Sequence, residues 1–376
     1  MNYKRMPIEI ESPEQMGYSN LKCNLTESSV SDVIYKDLNL NLADLVICYG
    51  DHVGNPGLRK IIAAEANQTS AASNITEKDV LVTAGAATAL FIVSTSLLEK
   101  GDGLLVMRPN YATNIETPRA IGAEISFLDL KIEDGWRVDF AKLEKMITPR
   151  TKLVSLTCPH NPTGTMMNRE ELAKVIQLVE SKGCKFLYDE TYRDMTFGKF
   201  LPVAATLSTN AISVCSLSKT YGLPGIRTGW LITRDEALFE KFLAAKEQIM
   251  ICNSVIDEEV AFRYLQMKDK YLPAIKSKIV KHFEIVKKWI AEESRMEWVE
   301  PSGGVVCFPR IKPDSKVDVD FFYKILNDKY GTFVGPGHWF EMDRRFMRIG
   351  YGWPKTEELK EGLASISSAL KEAVKN

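Results

Sequence analysis

Five short apolar runs, at residues 80–83, 104–107, 153–156, 185–188 and 212–215, alternate with helical patterns through the first two-thirds of the chain. Each is too short for a helix and is bounded by turn or polar residues, so each reads as a strand buried on both faces. Strands separated by helices are joined as parallel crossovers. The chain is therefore restricted to α/β architectures with a mostly parallel central sheet flanked by helices. Between the third and fourth runs the spacing predicts one clear helix: Asn168 caps it, Glu171 completes a capping box, Leu172, Val175, Ile176 and Val179 form one apolar face, and Gly183 stops it.

A different pattern follows. From Pro273 a longer helix carries Ile275, Ile279, Phe283, Val286 and Ile290 at spacings of three and four. Strand-like segments at 304–308 and 346–349 come next, and an amphipathic helix begins at about Glu357. A chain of 376 residues exceeds one simple core. We expect a large domain over residues 46–270, a smaller α+β domain over 271–376, and an N-terminal arm over 1–45 that belongs to the small domain. The arm is polar and irregular, carries Glu9, Glu11, Glu14 and Glu27, and is expected to pack over a site or onto a partner subunit.

Charge and cysteine usage narrow the function classes. A formal net charge of -1 offers no electrostatic footprint for nucleic acid or an anionic membrane, which points to a small-molecule ligand. Seven scattered cysteines without a C-x-x-C pair suit free thiols in a reducing cytoplasm. No stretch has the apolar length of a membrane helix, and the first residues lack an apolar signal core.

The chemistry concentrates around Lys219. In Ser216-Leu217-Ser218-Lys219, followed by Pro224-Gly225-Ile226-Arg227, a primary amine stands beside two hydroxyls and a guanidinium. An amine can form a Schiff base while Ser216, Ser218 and Arg227 hold a phosphate, and pyridoxal phosphate is the common cofactor that needs both. The small-residue run after residue 83 opens a helix, so the N–H groups of Gly85, Ala86 and Ala87 can receive a phosphate, although such residues also serve close helix-strand packing. Asp189 ends an apolar run where a carboxylate can pair with a protonated ring nitrogen; a plain turn role stays open for it, as for Asn161 in Asn-Pro-Thr-Gly.

The lysine segment and its companions resemble the class I/II aminotransferases of fold type I. Asn161, Asp189, Tyr192, Lys219, Arg227 and Arg348 occur in that family's order from about residue 45 to the end. The resemblance implies that Lys219 bears pyridoxal 5'-phosphate and acts as base, through aldimine and quinonoid intermediates. It further implies that Tyr192 and Asn161 meet the ring oxygen, Tyr111 stacks on the ring, and Arg348 with Asn161 grips the substrate α-carboxylate. Tyr49 would reach the neighbour's phosphate across a homodimer. Transamination between an L-amino acid and a keto acid is the leading expectation.

One stretch departs from the family. Residues 24–32 add carboxylates and hydroxyls, with Glu27 and Ser28 as candidate substrate contacts, and look somewhat like the oxygen-using, pyridoxal-phosphate-dependent arginine oxidases and dehydrogenases. That alternative brings dioxygen as co-substrate, a guanidinium paired with Glu27 or Asp32, and His52 or His160 moving protons. A binding module without amino-acid chemistry is disfavoured by Arg348.

Overall fold

Apolar strands dictate the sheet, but tertiary pairing enlarges it. The computed structural model describes residues 1–70 and 74–375. Among these, seven strands form the central sheet: β1 (Val80–Thr83), β2 (Gly103–Arg108), β3 (Glu124–Asp129), β4 (Thr151–Thr157), β5 (Lys185–Asp189), β6 (Ala211–Ser216) and β7 (Gly229–Ile232). Their spatial order is β1-β7-β6-β5-β4-β2-β3, and all neighbours are parallel except β7, which is antiparallel to both β1 and β6. The five expected runs all lie in strands. Two strands of this sheet escaped the sequence reading: β3 is an edge strand that stays largely open to solvent, and β7 begins with a glycine two residues after Arg227 of the motif read for its chemistry.

The pleat sorts side chains onto two faces. Leu104 and Val106 join Leu81, Leu187 and Val214 under helix α1 (Gly85–Leu97), whereas Leu105 and Met107 join Val154, Leu156 and Phe186 under helix α2 (Arg169–Ser181). In α2 the expected capping box is present: Asn168 Oδ1 accepts from the Glu171 N–H and Glu171 Oε2 from the Asn168 N–H, both at 2.8 Å.

Helix α3 (Lys268–Glu292) starts upstream of the expected Pro273, which lies inside it. Proline removes one intrahelical hydrogen bond there, and the buried stripe of Leu272, Ile279, Phe283, Val286 and Ile290 offsets the loss. Of the expected run 304–308 only β8 (Val306–Cys307) pairs, beside β10 (Met347–Gly350), whose other neighbour is β9 (Gly335–Pro336). Helix α4 (Thr356–Glu372) closes the chain much as its periodicity predicts. The arm is not detached: Cys23–Asn24 pairs in parallel with Thr332–Phe333, and Gly350 donates its N–H to the Leu25 carbonyl at 2.8 Å. No helix among the described residues is long and apolar enough to cross a membrane.

Candidate active site

Parallel strands bring their carboxyl ends to one edge, and the crevice outside those ends is where α/β sheets place ligands. Thr157 of β4, Asp189 of β5 and Ser216 of β6 line a cavity of about 350 Å³ there. Ala86, Ala87, Tyr111, Asn161, Tyr192, Ser218, Lys219, Arg227 and Arg348 line the same space, as do Glu27 and Ser28. The arm roofs it with Ile8, Glu9, Ser12, Pro13 and Glu14, and Glu11 ties the arm down by accepting from Trp339 Nε1 (2.7 Å) and pairing with His338 Nε2 (2.8 Å).

The phosphate end is built around two glycines. Gly85 has φ +78°, and a Cβ on it would lie 2.7 Å from an Arg227 guanidinium nitrogen, so only glycine lets that cation approach the start of α1. Gly229 in β7 is packed against the same turn: its Cβ would meet the Gly85 carbonyl carbon at 2.6 Å and the Ala86 nitrogen at 2.7 Å. Hydroxyls, a guanidinium and a helix N-terminus converge here, which is the donor set a phosphate dianion requires.

Around the ring position the groups are buried and mutually oriented. Asp189 Oδ1 accepts from the Thr191 N–H (3.1 Å) and hydroxyl (2.6 Å), and Asn114 also hydrogen-bonds the carboxyl. Burial pushes the Asp189 pKa up while these donors pull it back. Burial pushes the Lys219 pKa down; the nearby Glu27 carboxylate opposes this and Arg348 reinforces it. Tyr192 donates its hydroxyl proton to the Ser28 carbonyl at 2.8 Å, which leaves its oxygen as an acceptor.

At the opposite end, Arg348 is 4% exposed. Its Nη1 donates to Asn161 Oδ1 (3.1 Å), its Nη2 to the Thr26 carbonyl (2.7 Å), and the guanidinium lies 5.0 Å from the centre of the Phe340 ring. Because arginine only donates, the Asn161 oxygen must face it, which leaves the Asn161 amide nitrogen as a donor. Among the described residues Arg348 Nε is buried without a hydrogen-bond partner, which leaves a donor suited to a carboxylate. An amine, an oriented buried carboxyl, a phosphate cradle and an unsatisfied guanidinium together fit pyridoxal phosphate and an amino acid.

Some expected residues lie elsewhere. Tyr49 is 82% exposed and outside its own chain's cavity. His52 pairs with Glu247 at 2.6 Å, and Asp32 accepts from Trp353 Nε1 at 2.8 Å; neither lines the cavity. His160 also lies outside it, with its ring nitrogens bonded to the Pro109 carbonyl (2.8 Å) and the Thr163 hydroxyl (2.7 Å). Burial holds its pKa at about 4, so His160 is a neutral structural group here, not a proton carrier.

The structure also adds residues. Asn110 Oδ1 gathers the Tyr111 N–H (2.7 Å), the Thr157 hydroxyl (3.2 Å) and the Asn114 amide (3.3 Å), fixing the turn that presents Tyr111. Thr191, two residues after Asp189, was the one readable signal, since that spacing favours a side-chain turn. Asn110 and Asn114 are local neighbours, but they meet Thr157 and Asp189 only through the strand ends.

Comparison with known proteins points to the same cofactor. The model of the family "Aminotransferase class I and II" matches residues 21–366. Capreomycidine synthase from Streptomyces vinaceus is 27% identical, over 94% of this chain and 91% of that protein. Arginine–pyruvate transaminase from Pseudomonas aeruginosa is 26% identical, over 78% of this chain and 74% of that one. A crystal structure of a PLP-dependent aminotransferase from Streptococcus suis superposes with a TM-score of 0.90 and 28% identity, covering 100% of both chains. A cavity of this composition within a chain matched almost end to end makes the protein a member of the class I and II aminotransferases, a transferase dependent on pyridoxal phosphate.

Proposed function

We propose that the cavity moves the α-amino group of an L-amino acid to a keto acid, with the work divided among residues as follows. Ser216, Ser218, Arg227 and the N–H groups of Gly85, Ala86 and Ala87 hold the cofactor phosphate; Tyr111 covers the ring; Tyr192 and the Asn161 amide meet the ring oxygen. Lys219 carries the cofactor covalently. Pyridoxal phosphate, when bound, supplies an aldehyde and an electron-withdrawing ring that together make the α-proton of an amino acid acidic. Asp189 keeps the ring nitrogen protonated, and the Lys219 amine, its pKa lowered by burial, moves the proton at the α-carbon. Arg348 clamps the α-carboxylate.

The observation that carries this reading is the facing of Asp189, Lys219 and Arg348 into one cavity. An amino-acid panel with pyruvate or 2-oxoglutarate, read as keto acid formed per amino group transferred, tests it; no exchange with any pair sinks it. Oxygen-dependent oxidation of the amino acid is the second reading, favoured by the carboxylates Glu14 and Glu27 in the cavity. Hydrogen peroxide formed in air without a keto acid would decide for it.

We further propose residues 46–270 as the cofactor domain, with 271–376 and the arm as the small domain, and a homodimer in a reducing cytoplasm. Exposed Ile34, Val46, Ile47, Tyr49, Ile249, Ile251 and Ile256 support the dimer, and Gly50 lies against Val255, the neighbour of Ile256. All seven cysteines are free.

A further inference from the structure

The segment that carries Glu27 is clamped by the same residues that build the site. The Leu25 carbonyl accepts from the Gly350 N–H (2.8 Å), the Thr26 carbonyl from Arg348 Nη2 (2.7 Å), and the Ser28 carbonyl from the Tyr192 hydroxyl (2.8 Å). The Val30 N–H donates to the Lys219 carbonyl at 3.0 Å. A Cβ on Gly350 would fall 1.7 Å from the Glu27 carbonyl oxygen, so β10 and this segment touch backbone to backbone. Glu27 cannot swing away with its main chain. Its side chain is oriented as well: the Tyr18 hydroxyl donates to Oε1 at 3.2 Å, and the Tyr18 ring stacks on Trp353 with centroids 6.0 Å apart.

Three cationic side chains, Lys219, Arg227 and Arg348, share the cavity with four carboxyl groups, Glu9, Glu14, Glu27 and Asp189. Lys219, Arg227 and Arg348 line it, and on the reading above they are committed to the cofactor, its phosphate and the α-carboxylate. Glu27 and Glu14 line it too, and among the described residues neither has an ion-pair partner within contact distance. Burial raises the Glu27 pKa, with Lys219 opposing, so an uncompensated carboxylate there is unfavourable. Independently, Arg348 lines the same cavity and, among the described residues, its buried Nε has no hydrogen-bond partner, a donor suited to a ligand carboxylate. The cavity thus offers a donor for an anion in Arg348 and acceptors for a cation in Glu27 and Glu14.

We propose that Glu27, assisted by Glu14 on the arm, is the specificity group of this site and selects L-amino acids whose side chain ends in an amine or guanidine. The proposal rests on the aminotransferase reading for the role of Arg348. Acidic side chains are repelled by a partly desolvated like charge, and neutral ones leave Glu27 without its partner.

The test uses the cofactor-loaded protein and ligands that lack the α-amino group, so that no turnover is needed. Calorimetric titration compares δ-guanidinovalerate and ε-aminocaproate with neutral heptanoate. At least one cationic ligand is expected to bind about tenfold or more tightly than heptanoate, the scale of a charge-assisted hydrogen bond. Glu27→Gln should erase that preference without weakening heptanoate, and Glu14→Gln, on the exposed arm where folding is not at stake, should narrow it in the same direction. Equal affinities for cationic and neutral ligands, or a preference that survives both substitutions, overturns the proposal. Failure of every amino acid to yield a keto acid would instead sink the transamination reading, and the titration would still judge the subsite.

Discussion

On the proposed function Lys219 takes the covalent chemistry and Arg348 the recognition, and substitution separates the two. Lys219→Ala is expected to abolish the borohydride-trapped cofactor adduct and to lower turnover by at least about 10²-fold, the lower bound for a lost acid–base group. Intact-mass measurement and steady-state assays check both. Arg348→Ala removes a charge-assisted clamp and should lower kcat/KM by about 10- to 100-fold, mostly through KM; an unchanged KM contradicts the clamp. His160 gives a pH prediction. Its pKa falls from the ordinary 6.5 to about 4, so below pH 6.5 the unfolded chain binds a proton that the folded chain refuses. Its stabilisation is complete above that value and declines as pH falls toward 4. Urea unfolding should therefore show a loss of roughly 2 kcal/mol between pH 7 and pH 5 that the His160→Gln variant lacks. These reactive residues were legible because their side-chain chemistry is specific. The environment that tunes them was not, since Asn110, Asn114 and Thr157 have no meaning until three strand ends converge.

At the scale of elements, the phosphate cradle depends on how closely β7 approaches the first turn of α1. Gly229→Ala would drive a methyl group into the Gly85 and Ala86 backbone, and the expected outcome is cofactor affinity weakened about tenfold or more with the central sheet retained. Equilibrium dialysis of the cofactor and far-ultraviolet circular dichroism measure the two effects. An unaltered affinity would show that the turn does not contribute to phosphate binding. The same strand explains the limits of sequence reading: α2 was predictable from Asn168, Glu171 and an apolar stripe, all local, whereas β7 becomes a strand only because β1 and β6 pair with it on either side. Likewise β3 mixes polar and apolar residues, and β2 supplies its hydrogen bonds.

For the whole molecule, the exposed apolar surface around Val46, Ile47 and Tyr49 predicts assembly. Ile47→Asp places a charge in that surface and should shift sedimentation toward monomer and reduce activity, because Tyr49 is proposed to complete the neighbour's phosphate site. A wild-type protein that sediments as a monomer at micromolar concentration would remove the shared-site proposal. The amino-acid order alone determined the α/β class and the aminotransferase family and singled out Lys219 as the candidate for the covalent link, because short apolar runs and reactive side chains carry their physics locally. Folding decided which of the candidate groups share a cavity: with the arm paired to the C-terminal part of the chain by hydrogen bonds, Glu14 and Glu27 line it beside Lys219, whereas Asp32, His52 and His160 do not. Such long-range hydrogen bonds leave no periodic trace along the chain, and only the closed structure reveals which charges they bring together.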